Sequence, residues 1–528
     1  MNSNYVLAMY DIRGKQEFIF RTNRLKEIVG GSCIIRDCFV DYLYPAAESI
    51  NNNNKGIYHE NKQFLVNDFE KHINEGYIGE VVYDGGGNFL VLFKDEDIFK
   101  DVTYAFTKKV YQEIGTLRIL GTYVKIKDFK DFKGDRRRLY EKHRKNENME
   151  SNMVPCATLP IVQVDTRSSQ PLVDKKFIGG KIKEKVSREI LKKYDKFEQE
   201  KQKESSNMGT KFLDYLVTKK GEESMLAIIY IDGNNMGAKV QECCEEKTSY
   251  EECIAALREF SMDIQRIYIY ERLQDIDKWL EERYKNQDNN TQNKKNVHRL
   301  LISGGEKNSG GEKNRRLVLG AGDEINLICN ARDAFEIVKL YLDGLEEEKV
   351  GASSCAGISI FHSHAPYADA YRIAEECCES GKQEMKKCEV NNASLVDFHY
   401  CQGAIGTSLE DIREHECETD SSRPWIVNIT SSEKEKMPGR VCVSDEIEKM
   451  KDYLNVFGRS NIKGLMGAAK SSEAELMLEM KRMVAHMDKG LKEKHRDVLE
   501  YVNKMNAKKL RKLVFDMVTV YDLWFKED

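Results

Sequence analysis

Apolar runs and helix-spaced segments follow one another in an order that occurs twice along the chain. Residues 5–10 form a short apolar run ending at Asp11, and from 16 to 44 the apolar positions fall at helical spacing, so a strand feeds a helix. Residues 80–83 predict a second strand, the turn Asp84-Gly85-Gly86-Gly87-Asn88 reverses the chain, and 89–93 predict a third. Glycine supplies the positive φ angles that such a tight turn requires. A helix over 98–114 and a strand over 117–126 complete the set. The order returns with a strand at 225–231 ending at Asp232, helices, a hairpin of 317–319 and 325–329 around Gly320-Ala321-Gly322-Asp323-Glu324, a helix over 331–345 and a strand over 352–361. Two β-α-β-β-α-β units of this kind describe a duplicated ferredoxin-like, or palm, domain.

The fold class that follows is α/β in the α+β sense, with palm domains at 1–150 and 223–430, a helical connecting segment at 151–222 and a C-terminal helical domain at 431–528. The connecting segment rests on the lysine-rich composition of 175–220, and the C-terminal domain on Glu, Lys, Leu and Met recurring at helix spacing beyond about Ser444. Residues 286–316 are expected to be a mobile insertion: 286–296 is polar, and Ser-Gly-Gly-Glu-Lys-Asn at 303–308 is repeated at once at 309–314. A phosphate-cradling loop would need the spacing G-x-x-x-x-G-K-[ST], which this repeat lacks.

At 528 residues, 41% hydrophobic and 32% charged, the chain is a globular protein too long for a single core. A net charge of -5 excludes a surface built to wrap long nucleic acids. The one dense basic stretch, from Lys125 to Lys145 with Arg136, Arg137, Arg138, His143 and Arg144, has acids interspersed and reads as a solvated helix face. Fourteen scattered cysteines without C-x-x-C pairs fit a reducing compartment rather than a zinc ribbon. The N-terminus lacks a secretory pattern, and no run approaches the ~20 apolar residues that span a bilayer, so a cytoplasmic location without a membrane partner is expected.

The candidate chemistry lies at the strand ends. Asp232 follows an apolar strand and precedes Gly233-Asn234-Asn235-Met236-Gly237, while Asp323 and Glu324 occupy the turn of the next hairpin. In a ferredoxin-like sheet these two strands are neighbours, which gathers the three acids. Singly, an Asp at either place is more often a helix or turn cap; jointly, on matching strand ends, they point to divalent metal binding. Mg²⁺ or Mn²⁺ takes carboxylate, triphosphate and water oxygens, and two such ions ~4 Å apart serve phosphoryl transfer from a nucleoside triphosphate. Gly320 and Gly322 let the backbone pass close to a nucleotide. In the first unit Asp11 stands where Asp232 stands, but Gly87 and Asn88 fall where the other two acids would, so this palm is expected to bind nucleotide through Asp11, Gly85, Gly86, Gly87 and Asn88 without a second metal pair.

At these residues the sequence resembles the large palm-domain subunit of type III CRISPR effector complexes, the subunit that makes cyclic oligoadenylates from ATP. The first element is Asp11-Ile12-Arg13-Gly14-Lys15-Gln16-Glu17-Phe18-Ile19-Phe20, continued by Asn23-Arg24-Leu25-Lys26-Glu27-Ile28-Val29-Gly30-Gly31-Ser32. The glycine turn from Gly85 to Asn88, the strand end from Asp232 to Gly237, and Ala321-Gly322-Asp323-Glu324 in place of a G-G-D-D turn follow, then Ala356-Gly357-Ile358-Ser359-Ile360, Pro366 and Gly381-Lys382. The resemblance implies metal ligation by Asp232, Asp323 and Glu324, nucleotide contacts at Gly233, Asn234, Asn235, Gly320, Ala321 and Gly322, a triphosphate partner in Lys382, and a role in antiviral defence. Ala321 and Glu324 depart from the family turn, and neither an HD nuclease nor a zinc ribbon is expected. A compact or stand-alone relative that does not cleave a target is therefore expected.

Three readings stay open at this stage. The first is a nucleotidyltransferase making a cyclic or short oligonucleotide, with ATP as the expected triphosphate. The second is a non-catalytic nucleotide-binding or RNA-complex scaffold, and the third a dinucleotide cyclase of the diguanylate type, which A-G-D-E also resembles. The sequence does not choose between one two-palm chain and a homodimer, and it does not name an RNA or protein activator.

Overall fold

The computed structural model of the protein describes residues 4–22, 24–50, 55–59, 63–85, 87–149, 161–178, 182–203, 216, 224–289, 315–346, 352–401, 408–415 and 421–526. The polar stretch beyond 289 and the hexapeptide repeat lie outside them. The chain forms two compact units, neither continuous in sequence: Met1–Thr210, Asn235–Tyr270 and Val318–Glu324 make the first, and Lys211–Asn234, Glu271–Leu317 and Ile325–Asp528 the second. Among the described residues no helix is long and apolar enough to cross a membrane.

The first unit is built on β1 (Val6–Arg13), β2 (Ile57–Tyr58), β3 (Gly79–Gly85), β4 (Asn88–Phe93) and β5 (Arg118–Lys125), in the spatial order β2-β3-β4-β1-β5. The first strand lies between the hairpin and the last strand, which is the ferredoxin-like arrangement. Both faces of β1 are covered, so its sequence reads as a continuous apolar run rather than an alternation. On one face Tyr10 meets Phe99 and Phe106 of helix Glu96–Glu113. On the other, Leu7 and Met9 share a core with Phe132 and Leu139, and with Tyr250, Cys253, Ile254 and Leu257. The last four belong to helix Tyr250–Ile264, which starts with a capping box in which Ser249 and Glu252 satisfy each other's backbone N–H groups. A buried pair fixes this helix to β3, Arg258 Nη2 donating to Glu80 Oε1 at 2.8 Å.

The helix expected over 16–44 is interrupted. It runs as Lys15–Phe20 and Leu25–Cys38, with Arg24 extended between them (φ -98°, ψ 109°), and continues through π-helical Phe39–Leu43 into Tyr44–Glu48. The Gly30-Gly31 pair of the long sequence motif has a packing reason: a Cβ at Gly30 would strike the backbone carbonyl of Lys193, on helix Arg188–Lys203. That lysine is fully buried, and its ammonium donates to Glu189 at 2.7 Å.

The lysine-rich stretch from 175, expected to be helical, instead begins as a hairpin of β6 (Leu172–Ile178) and β7 (Ile182–Ser187), and only then becomes helix Arg188–Lys203. Composition suggested a helix, but Ile182, Glu184 and Val186 alternate with Lys183 and Lys185 at the period of a strand, and the register sets Lys176 opposite Glu184.

The second sheet repeats the palm order with β8 (Met225–Gly233), β9 (Arg315–Ala321), β10 (Glu324–Asn330) and β11 (Ser354–His362), and is widened by β12 (Ala393–Tyr400) and β13 (Trp425–Ile429), giving the order β13-β12-β11-β8-β10-β9. Helix Tyr367–Lys387 packs on β11 so closely that a Cβ at Gly357 would fall on the backbone of Ala374 and Cys378. Beyond residue 444 the chain is helical, as its periodicity predicts: Glu448–Asn455, Arg459–Ser471, Glu473–Ala485, Arg496–Lys504 and Ala507–Val520 are the longer helices. Asp516, on the last of these, is buried and accepts hydrogen bonds from Ser421, Ser422 and Arg423.

Candidate functional site

Strand β8 is apolar and buried until its end, where Asp232 is half-buried and Gly233 closes the strand. Its pairing with β10 runs from Leu226 opposite Asn330 to Ile231 opposite Ile325, so Asp232 is the next residue on one strand and Glu324 precedes the last pair on the other. Lys382, projecting from helix Tyr367–Lys387, donates to Asp232 Oδ2 at 2.5 Å and to the Gly233 carbonyl at 3.2 Å. Burial works to lower the Lys382 ammonium, but the Asp232 charge outweighs it and holds the lysine above its usual value. Asn234 turns inward, donating to Ser353 Oγ at 3.2 Å and to the Ala393 carbonyl at 2.8 Å, and so ties the strand end to the sheet. Asn235 adopts a left-handed backbone (φ 56°) and starts helix Met236–Glu245.

The turn between β9 and β10 groups with the first unit. Gly320 ends within β9, the Ala321 side chain lies outside the described residues, and Gly322 takes φ 64°, a conformation that favours glycine. Asp323 and Glu324 are half-buried. Asp323 acts electrostatically on Lys239 and on Tyr83, and Glu324 on Lys15. Asp323 also lines a cavity of about 790 Å³ that lies within the first unit. Gly85 and Asn88 of the first hairpin, Met236 and Gly237, and the aromatic rings of Tyr83 and Tyr140 share its wall.

In the first palm, Asp11 is surrounded by basic side chains. Arg13 donates to it at 3.0 Å, Lys15 lies at 3.8 Å and His143 Nε2 at 3.7 Å. Burial pushes the Asp11 carboxyl up, but hydrogen bonds from His143 and Arg13 and the Lys15 charge prevail and hold it below its usual value. Lys15 also fills the space beside Gly87, where a Cβ would meet its ammonium end, and Gly87 takes φ 76°. Gly86 lies outside the described residues.

Sequence reasoning passed over the basic wall of the cavity. Lys133, Arg136, Arg137 and Arg144 on helix Phe132–Met149 line it, so the stretch read as a solvated face presents one side to a concave site. The signal was their spacing: positions 133, 136/137, 140 and 144 recur on one side of a helix, while Phe132, Asp135, Leu139 and His143 are buried on another. Arg136 donates to the Val240 carbonyl at 3.1 Å and Lys133 to the Glu245 carbonyl at 2.7 Å, tying this helix to Met236–Glu245.

Three carboxylates without a thiol or imidazole form the donor set of a hard, oxygen-preferring cation. Asp232 already attracts an ammonium group, which marks that strand end as a place that takes positive charge. Among the described residues no three His, Cys, Asp or Glu side chains stand close enough together to hold an ion as they are arranged. The three carboxylates suit a hard cation by donor type, not by their present arrangement.

Fold and acids together define an α+β protein of two palms in which the second palm alone carries carboxylates at both strand positions. No family model matches the sequence, and no curated protein matches it. Among solved structures, the chain is similar to a Csm1-Csm4 cassette in complex with cA4, at 12% identity and TM-score 0.48 over 98% of this chain and 70% of that one. It is similar also to the Csm1-Csm4 subcomplex in the type III-A CRISPR-Csm interference complex, at 13% identity and TM-score 0.46 over 97% and 70%. A third is the Csm1-Csm4 cassette in complex with pppApA, at 14% identity and TM-score 0.44 over 75% of this chain and 54% of that one. The chain thus spans 54% to 70% of the length of these solved chains.

Proposed function

We propose that this protein is a metal-dependent nucleotidyltransferase that joins nucleoside triphosphates, ATP first among them, into a cyclic or short oligonucleotide. The observation that carries this reading is that Asp323, in the turn of the second palm, lines a cavity of nucleotide size with a basic wall. Asp232, Asp323 and Glu324 would hold two Mg²⁺ or Mn²⁺ ions, which when bound supply charge neutralisation at the triphosphate and lower the pKa of a ribose 3′-hydroxyl. The residues of the chain do the positioning. Gly320 and Gly322 allow close approach of the backbone, and Lys382, a cation beside Asp232, is placed to follow the negative charge of the substrate. Joining two triphosphates forms one phosphodiester bond and releases pyrophosphate for each linkage.

A binding-only scaffold is the second reading, favoured by the occupation of Asp232 by Lys382. The two separate by incubating the protein with each nucleoside triphosphate and Mg²⁺ or Mn²⁺, resolving products by mass spectrometry, and running Asp323→Ala beside it. A product that vanishes in the variant, with unchanged circular dichroism, is expected. An equal yield from Asp323→Ala would remove the metal assignment. Recovery of unchanged triphosphate with every metal and added RNA would leave the scaffold.

A further inference from the structure

On the reading that this protein handles nucleotides, we propose that Lys133, Arg136, Arg137 and Arg144 form a phosphate-binding wall that seats the 5′-triphosphate of one nucleotide in the cavity beside Asp323. The four cations lie on successive turns of one helix and face a single cavity, against the acids Glu141, Glu245 and Asp323. Side chains spaced in this way make a ladder that follows a chain of phosphates. Three of them are guanidinium groups, which offer paired N–H donors to phosphate oxygens, whereas an ammonium group acts as a point charge.

Two features limit the ligand to a mononucleotide or an oligonucleotide end, rather than the backbone of a long RNA. A volume of about 790 Å³ lies in the range of small-molecule sites. The whole chain carries a net charge of -5, so the basic wall is a local feature rather than part of an extended positive surface. Tyr83 and Tyr140 supply aromatic faces for a base or ribose in the same cavity. The Arg136 guanidinium lies 5.4 Å from the centre of the Tyr140 ring, so the phosphate wall and the aromatic floor are in contact.

The wall is also linked to the strand end through the chain. Arg136 and Lys133 donate to carbonyls of helix Met236–Glu245, which follows Asp232 by four residues. Phosphate oxygens would compete with those carbonyls for the two cations. Seating a triphosphate and positioning that helix are then one event.

The test is binding without catalysis. Affinities of the full chain for ATP, ADP, AMP and inorganic tripolyphosphate are measured by calorimetry in EDTA, for the wild type, Arg137→Ala/Arg144→Ala and the control Lys145→Ala. Arg137, Arg144 and Lys145 are exposed, so these changes spare the core. The expected order is ATP above ADP above AMP, with tripolyphosphate competing against ATP. The double variant should weaken ATP by roughly tenfold or more and AMP by about threefold or less, with Lys145→Ala unchanged. Equal affinity for ATP and AMP, an unchanged double variant, or equal competition from an oligoribonucleotide without 5′-phosphates would overturn the proposal. Triphosphate binding lost in the double variant, with no product under any metal, would keep the wall and reject the transferase. Product formed with unchanged KM and kcat by the double variant would keep the transferase and reject the wall.

Discussion

Asp11 and Asp232 hold matching places in the two palms, yet their surroundings differ. Asp11 faces Arg13, Lys15 and His143, and its carboxyl is held below its usual value against the effect of burial. Asp232 faces one lysine and is about a third exposed. Asp11 is thus ringed by three side chains of its own palm, whereas Asp232 is paired with one. Replacing Asp11 by Asn leaves the Arg13 and Lys15 cations beside a neutral amide and should destabilise the protein by about 1–3 kcal/mol at neutral pH. Because the folded value is depressed, the stabilisation by Asp11 is present above about pH 4 and is lost as the pH falls through the folded value. Denaturation of wild type and Asp11→Asn at pH 7 and near pH 3 checks this: the gap should narrow in acid, and a constant gap would mean that the carboxylate charge is not the cause.

Two glycines that look like parts of chemical motifs are packing devices at the scale of elements. Gly357 lets helix Tyr367–Lys387 rest on β11, and Gly30 lets helix Leu25–Cys38 rest on Arg188–Lys203. In each case the obstacle to a Cβ is backbone, which cannot move aside as a side chain can. Gly357→Ala should therefore cost about 1–3 kcal/mol or more and displace the helix that carries Lys382. Lys382→Ala removes a partly exposed ion pair and should cost about 1 kcal/mol or less. Thermal melts of the two variants measure the contrast. If Gly357→Ala melts with the wild type, the helix has slack on the sheet that the packing denies.

For the whole molecule, the units follow packing and not chain order. Residues Asn235–Tyr270 come after the first strand of the second palm, but Tyr250, Ile254 and Leu257 complete the core of the first palm. A fragment of residues 1–203 keeps all five strands of the first sheet and loses that cover, together with the Arg258 partner of buried Glu80. It should unfold without cooperativity or associate, since a buried carboxylate loses its cation and an apolar face meets water. The intact chain should unfold cooperatively through the same region. Sharp, cooperative melting of the fragment as a monomer would show that the helix is dispensable.

The sequence by itself determined the duplicated palm order, the strand ends and the C-terminal helices, because buried central strands demand apolar runs and amphipathic helices demand a 3.6-residue period. The places of Asp232, Asp323 and Glu324 at a strand end and a hairpin turn were legible because those local patterns end there. Residues 172–187 misled because lysine content suits a helix while their pairing is made across a hairpin. Only the tertiary structure decided that helix Tyr250–Ile264 covers the first palm, that Lys382 meets Asp232 across 150 residues of sequence, and that the basic helix turns one face to a cavity. Each of these depends on which surfaces bury each other at long range, and local periodicity records only that a face is buried, not by what.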